Sequence, residues 1–554
     1  MRASSGASLL GFAFAAMVRR ILIDDPEFIF PTSLQQVTLY RSMQGTSELH
    51  SALAKNKMKI FYIVSAVTFA WQFLPEFASQ WWQLWHRSVG GIGLLNITLN
   101  WSNITSTVIT YPYSVQLVIF VAFAITTWIL IPIAYFGNIW GSPTYDIMSN
   151  KLFTKNGTSY PFKTLLYTDS SGSQQVNKTR YEEVGLSYAG AQFTWGIFMW
   201  YASYISSYVW AALFLAPKLR QLRIQQRYPD VTKWEWLILA VIPLGLLLII
   251  VATGSVWMST WTYVVAIAFG ASAMLPMSLV YAISGYSMKV GIFNELVYGY
   301  MIEAKGSNRH PLGQFVYTTL NSLIALLLQI SGNTWYDSRA VLEDQKIGHY
   351  LHIPPRDVIG IQIIANMISL PVNYGVMRCV LATKYDYLTG KLDDPSGQWT
   401  AQDFTSYNTE GIMYALVGPK KLFASSYVSP VLWGFLVGGV APALIWFLHQ
   451  RFPRARFDLW NTTIFFASAA TSRGNLSTGP FTAIIVGTVF NYYLYRYRHV
   501  WWNKWAYISD AALDTGFNLN LLFIFLFLGT TGTAMVNWWG NNKTNTERCF
   551  ALDG

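Results

Sequence analysis

Runs of apolar residues long enough to cross a bilayer recur along almost the whole of this chain. A helix needs ~20 such residues to span the hydrocarbon core. Stretches of that kind fall at 59–79, 114–137, 189–214, 234–253, 260–283, 313–331, 357–381, 427–449, 477–495 and 506–533. A soluble chain of 554 residues would instead divide into several domains of shorter amphipathic elements. Charged residues make up only 12% of this one, about half of the roughly 25% usual in soluble domains. The expected fold is therefore an all-α polytopic membrane protein, one transmembrane domain over 1–554 with about 10–14 transmembrane helices.

Three weaker apolar segments, 81–101, 286–303 and 459–473, are short, contain glycine or are interrupted by polar groups. They are expected to be broken or re-entrant helices, which a membrane tolerates only where they are buried in protein or line a cavity. The competing reading is a peripheral interfacial helix. At the start, Leu9 to Met17 is apolar but too short for a full span, and is read as a partial membrane helix rather than a signal peptide. Residues 21–54 read as a polar, interfacial connection.

The excess of 38 basic over 27 acidic residues sits in short loops, as the positive-inside bias predicts. No basic stretch interleaved with aromatics offers a nucleic-acid surface. Three basic loops set the orientation: Lys218, Arg220, Arg223 and Arg227 within a cytoplasmic loop at 215–233; Arg451, Arg454 and Arg456; and Arg496, Arg498 and Lys504. The polar 138–188 loop then lies outside, with Asn156 and Asn177 as glycosylation candidates, as does the tail with Asn542. The parity requires 81–101 to cross, so the sequons at Asn96, Asn100 and Asn103 are not used. Cys379 and Cys549 fall on that same outer side, as a bridge or as two free thiols. Paired tryptophans such as Trp81-Trp82 and Trp501-Trp502 suit interfacial anchoring.

No metalloprotease, phosphate-loop or nucleophile-elbow pattern is present, so no catalytic residue, cofactor or metal site is assigned and the chain is not expected to be an enzyme. The nearest approach to an embedded transferase is the acidic pair Asp393-Asp394, a weak match flanked by turn residues. What stands out is a rigid basic elbow, Gly348-His349-Tyr350-Leu351-His352-Ile353-Pro354-Pro355-Arg356. Its two prolines withdraw two backbone donors and forbid an unbroken helix, while its basic residues mark the mouth of the following span. His349 and His352 are three apart, but Pro354-Pro355 end any helix there and no cysteine completes a site.

"GHYLHIPPR", with its lead-in "LEDQK", resembles the signature of the oligopeptide transporter superfamily, which usually has Met-Lys where this chain has Leu351-His352. Other segments follow in family order: "LLGFAFAAMVRR" (9–20), "FPTSL" (30–34), "NELVYGYM" (294–301), "YALVGPKKLF" (414–423), the run 484–505, "YISDAALDTG" (507–516) and "NWWG" (537–540). In the departures, Phe30 replaces a tryptophan, Gly285-Tyr286-Ser287-Met288 replaces a Gln/Pro/Gly turn, and Ala401 stands where the family has cysteine. A family stretch of Pro-Pro-Ala-Thr type is replaced by 474–480. The family's longer N-terminal region has no counterpart here.

The resemblance implies secondary active import of small peptides or peptide-like compounds across a plasma membrane by a proton symporter. In the motif, Gly348, His349, Tyr350, Ile353, Pro354, Pro355 and Arg356 are expected to orient helices or gate rather than touch substrate. Carboxylates inside spans are costly and usually face a bundle interior or cavity, which singles out Glu295, Asp510 and Asp514. The last two are four apart and share a helix face. Asp514 lies one turn deeper, and Asp510 is near enough to Lys504 to serve as a start-of-helix charge. Among asparagines inside apolar stretches, Asn461 at the start of a short broken segment is the substrate candidate, and Asn366, Asn373, Asn491, Asn518 and Asn520 are read as inter-helix glue. Two alternatives remain open: a metal–chelate or siderophore substrate, and an inactive truncated transporter.

Overall fold

A computed structural model describes residues 2–44, 48–75, 92, 94–149, 152–168, 174–215, 231–252, 260–288, 291–305, 333–388, 391–392, 412–423, 429–471 and 479–529. The expected spans at 313–331 and the 81–91 part of the first weak segment lie outside these residues, as do Asp393-Asp394, Asn542 and Cys549. Within them the chain is almost entirely helical. Among the described residues, six helices are long and apolar enough to cross a membrane: Tyr113–Phe136, Ala191–Leu215, Trp261–Ser284, Pro355–Leu388, Ser429–Arg451 and His499–Leu528. This is the expected all-α polytopic membrane architecture.

In chain order the elements used below are α1 (Arg2–Ile23), α2 (Pro31–Gln44), α3 (Glu48–Phe73), α4 (Trp101–Ile104), α5 (Thr107–Thr110), α6 (Tyr113–Phe136), α7 (Ala191–Leu215), α8 (Lys233–Ala252) and α9 (Thr260–Ser284). They continue with α10 (Gly291–Lys305), α11 (Asn333–Tyr350), α12 (Pro355–Leu388), α13 (Ser429–Arg451), α14 (Thr462–Ala470), α15 (Pro480–Gly487) and α16 (His499–Leu528). Helix α1 lies against α8 and α11, α3 runs along α16, and α7 is flanked by α13 and α14. Lipid tails are as apolar as leucine, so helices in a membrane associate through close packing and polar contacts. Accordingly α13 meets α7 through Gly434 and Gly438, four apart on one face, over the backbone of Phe198 and Ala202. By contrast α12 keeps Ile361, Ile364, Met367 and Ile368 exposed, the state expected of a lipid-facing helix.

Residues 21–54 were expected to be a connection, yet they include all of α2 and the start of α3. Helix α2 is polar but packs against α3, α11 and α16. A polar helix held by contacts with other helices carries no apolar run for a hydropathy reading to find. The 138–188 region carries two small antiparallel ladders, Leu152–Phe153 with Tyr188–Ala189 and Leu166–Thr168 with Gln174–Val176. Tyr160 Oη, 2.6 Å from the Gly185 carbonyl, ties its ends together, and burial raises the phenol above its usual range. Asn156 is exposed in a turn, and Asn177 caps the helix Lys178–Val184 through the Arg180 amide.

The elbow closes α11 with an αL turn. His352 sits at φ +61°, its amide donates to the His349 carbonyl at 3.3 Å, and the Ile353 amide reaches back to Gly348 at 2.8 Å. This is a Schellman arrangement with histidine at the position glycine usually takes. Pro355 then opens α12, where its missing N–H costs nothing. A Cβ on Gly348 would stand 2.6 Å from Val358 Cγ2, so glycine is what lets α11 and α12 meet. Tyr350 Oη donates to the Ile29 carbonyl and Arg41 donates to the Tyr350 carbonyl, while Arg356 pairs with Glu235 at 3.5 Å on the surface.

Lys346, buried, donates to the carbonyls of Ile23 and Asp25 at 2.8 and 3.2 Å. Its charge thereby caps the negative end of α1. Burial lowers this ammonium from 10.5 to about 8, with Asp24 and Asp25 acting in the opposite sense. Between those values the unfolded chain binds more protons than the folded one, so this residue's contribution to stability improves as pH rises. From about pH 7.5 to 9.5 the stability of the wild type relative to Lys346→Met should rise by about 1–2 kcal/mol in paired thermal melts. A pH-independent difference would refute this assignment.

Candidate functional site

Where the spans break, a cavity of about 320 Å³ opens, within the usual range for small-molecule sites. Its wall is made by Asn103, Ile104, Thr105, Thr107 and Val108 from the α4–α5 segment, by Tyr111, Gln116, Ile119, Phe120 and Phe123 leading into and along α6, and by Tyr286. Ser468 and Thr471 at the end of α14, and Pro480, Ala483 and Ile484 at the start of α15, complete it.

Interrupted backbone inside a membrane must have its polar groups satisfied by protein. The α4–α5 wall shows how. Thr98 N donates to Thr482 Oγ1 at 2.9 Å, Gln72 Nε2 to Asn100 Oδ1 at 2.6 Å, and Trp71 Nε1 to the Leu99 carbonyl at 3.2 Å. Asn100 Oδ1 also caps α4. At the far end Asn491 Nδ2 gathers the carbonyls of Val108, Ile109 and Tyr111 at 3.0–3.1 Å, and Gln116 Nε2 serves Val108 and Tyr111 again. Asn96 is buried, Asn100 is a cap and Asn103 faces the cavity, so these three asparagines are parts of the fold.

Helix α14, nine residues long, starts at Asn461, whose Oδ1 accepts from Thr463 N at 2.9 Å and Ile464 N at 3.3 Å. Asn461 is thus the cap of a half-helix whose other end reaches the cavity. Gly285, at φ +76°, separates α9 from α10 and lies so close to the Tyr111 ring that a Cβ would sit 3.0 Å from it. Tyr111 and Tyr286 stand edge to face across that break.

None of the four sequence candidates lines the cavity itself. Glu295 is buried in α10, in the electrostatic neighbourhood of Tyr201. A Cβ on Gly299, one turn along, would lie 2.7 Å from the Tyr414 carbonyl and Pro419 Cγ, which shows how closely α10 is packed. Asp510 is 0% exposed, and neither of its carboxyl oxygens has a hydrogen-bond partner among the described residues. Asp514 is half-buried and held: Trp101 Nε1 donates to Oδ1 at 2.8 Å and Gln35 Nε2 approaches Oδ2 at 3.4 Å. Asp514 thus touches the cavity wall through one residue, and Asn461 through α14.

A further cluster lies behind Tyr111, and sequence reasoning missed it. Tyr281 Oη donates to Glu343 Oε2 at 2.7 Å and accepts from Thr32 Oγ1 at 2.9 Å. The Arg339 guanidinium lies 5.0 Å above the Tyr281 ring. Arg339, Glu343 and Lys346 recur at helical spacing along α11, and that spacing, running from Arg339 into the "LEDQK" lead-in at 342–346, was the available signal.

The sequence profile of the OPT oligopeptide transporter protein family matches residues 4–528. Oligopeptide transporter 2 of Arabidopsis thaliana is 24% identical over 97% of this chain and 75% of its own length. Oligopeptide transporter 3 of the same plant is 25% identical over 98% of this chain and 75% of its own. Glutathione transporter 1 of Schizosaccharomyces pombe is 24% identical over 97% of this chain and 65% of its own. A profile match over nearly the whole chain, on a bundle of membrane-length apolar helices broken around an internal cavity, places the protein in the oligopeptide transporter (OPT) family as an integral membrane transport protein.

Proposed function

We propose that this chain is a proton-coupled symporter that imports small peptides or peptide-like compounds across a plasma membrane. The observation that carries this reading is the pair of helix ends at the cavity. Ser468 and Thr471 bring the C-terminal end of α14 to one part of the wall, and Pro480 brings the N-terminal end of α15 to another. The first favours a cation and the second an anion, which suits a zwitterion with an ammonium at one end and a carboxylate at the other. The aromatic and hydroxyl-bearing wall between them suits a peptide's side chains and backbone. The names of the family and of the glutathione transporter relative support the same class. Protons are assigned to the carboxyl groups of Asp510, Asp514 and Glu295.

Uptake of radiolabelled glutathione and trileucine into vesicles holding the purified protein tests this. An inward proton gradient should drive accumulation, and Ala483→Phe, which fills the cavity, should reduce it at least about tenfold without loss of folded protein. Unimpaired uptake by that variant would remove the cavity from the path. Uptake of a metal chelate alone, uncompeted by either peptide, would overturn the peptide reading in favour of a chelate substrate.

A further inference from the structure

We propose that Trp101 is a positioning residue, a strut that passes the state of the Asp510–Asp514 pair to the cavity through the α4–α5 wall. This rests on the reading of the α16 carboxyl groups as the proton site. The wall between Thr98 and Tyr111 is not one continuous helix, and side chains of other elements fix its place. Of the hydrogen bonds described above, those donated by Trp71, Gln72, Gln116 and Asn491 and that accepted by Thr482 involve neutral groups. Only the bond from Trp101 Nε1 to Asp514 Oδ1, 2.8 Å long, ends on a titratable side chain. Trp101 is buried, and its ring belongs to the same apolar cluster as Ile104 and Val108, which line the cavity. A shift of this indole therefore moves the wall.

A bond to a carboxylate is about twice as strong as one to a neutral acceptor. A proton arriving on the pair weakens the Trp101 contact and frees the wall. Asp510 and Asp514 are one turn apart on α16 and feel each other's charge, so a proton taken up on either one reaches the strut. Several elements around them carry ionisable groups. On α16 itself these are Tyr507 and Lys504, and Tyr507 is an electrostatic neighbour of Asp510. On α3, Lys57 faces Lys504, with Lys55 and Lys59 beside it in sequence and Tyr62 one turn further. On α2, Arg41 is engaged by the Tyr350 carbonyl, and Tyr40 precedes it. On the continuation of α15, Arg496 lies over Tyr492, next to Tyr493, Tyr495 and Tyr497. Segments α4 and α5 bring no ionisable side chain. Among the described residues, the hydrogen-bonding and electrostatic neighbours of these two carboxyl groups are Gln35, Trp101, Tyr507 and each other.

Amide hydrogen exchange over residues 101–111 of the full chain in nanodiscs tests the strut without any substrate. After correction for intrinsic rates, exchange in the wild type should speed up about fivefold as pH falls from about 8 to about 5. Trp101→Phe keeps an aromatic ring and loses the N–H. It should exchange at the fast rate throughout, and Asp514→Asn, which keeps the side-chain size, should do the same. Transport gives a second readout. The acceleration of glutathione or trileucine uptake by protons should fall below about twofold in Trp101→Phe. A wild-type wall whose protection ignores pH would overturn the strut, as would a Trp101→Phe protein that keeps the wild-type pH profile. If exchange follows the expected pattern while neither peptide is taken up, the strut stands and the substrate reading falls.

Discussion

Gly438→Leu should leave almost no monodisperse protein in detergent. A Cβ at this position would lie 2.7 Å from the Cα and 2.8 Å from the carbonyl carbon of Ala202. Both are backbone atoms of α7, so no rotamer change makes room. Overpacking a core commonly costs about 1–3 kcal/mol when side chains can yield; here two helices must separate, and the loss should exceed that range. Gly434, one turn away, meets Phe198 and Tyr201 in the same way, so the pair works as a small-residue interface between α13 and α7. The control is one residue away. Gly439 has only Ile205 Cγ2 near it, at 3.8 Å, and Gly439→Leu should keep a sharp size-exclusion peak. Equal behaviour of the two leucine variants would refute the packing argument.

Hydropathy found the long apolar spans and missed the helices whose sequences are polar. The run 114–137 became Tyr113–Phe136, and 189–214 became Ala191–Leu215. Helices α2 and α11 pack against other helices, so the residues at those contacts answer to neighbours rather than to hydrocarbon. Lys346, Gln345 and Ser338 on α11 are all buried, and a scan for apolar residues passes over them. The glycines of α13 were visible as letters, but their meaning depends on which helix lies opposite. Likewise the π-helical stretch Ala124–Leu130 inside α6 has no sequence signal of its own.

The site divides along a similar line. That Glu295, Asp510, Asp514 and Asn461 lie in or beside apolar segments was legible, because a polar residue among apolar ones needs a partner wherever the chain folds. Which partner each finds was not. Trp101 and Gln35 come to Asp514 from 413 and 479 residues away, and the cavity is assembled from α4–α5, α6, α14 and α15 together with Tyr286. The short segments around it were readable as interruptions. Their clamping by Asn491, read as inter-helix glue, became specific only with three carbonyls in view.

Asp510→Asn should abolish proton-driven uptake while leaving the protein as stable as the wild type or more so. The side chain is 0% exposed and neither oxygen has a hydrogen-bond partner among the described residues. A group in that position gives the fold little. Burying a carboxyl without compensation costs several kcal/mol when it is ionised and less when it is neutral. An amide of the same shape avoids the ionised cost altogether, so melting at about pH 8 should be unchanged or later. A residue that served only structure would show the opposite pattern, destabilised on substitution and still active. Accumulation of glutathione or trileucine against a gradient should fall at least about tenfold, because the amide can no longer carry a proton between the two sides. Exchange of labelled for unlabelled peptide across the vesicle membrane need not move a net proton, and should be spared if Asp510 serves coupling rather than binding. Glu295→Gln, in a different helix, separates the two carboxyl sites: full coupling in that variant and none in Asp510→Asn would put the proton on α16. Wild-type accumulation in Asp510→Asn, with its pH dependence intact, would take Asp510 out of the coupling mechanism.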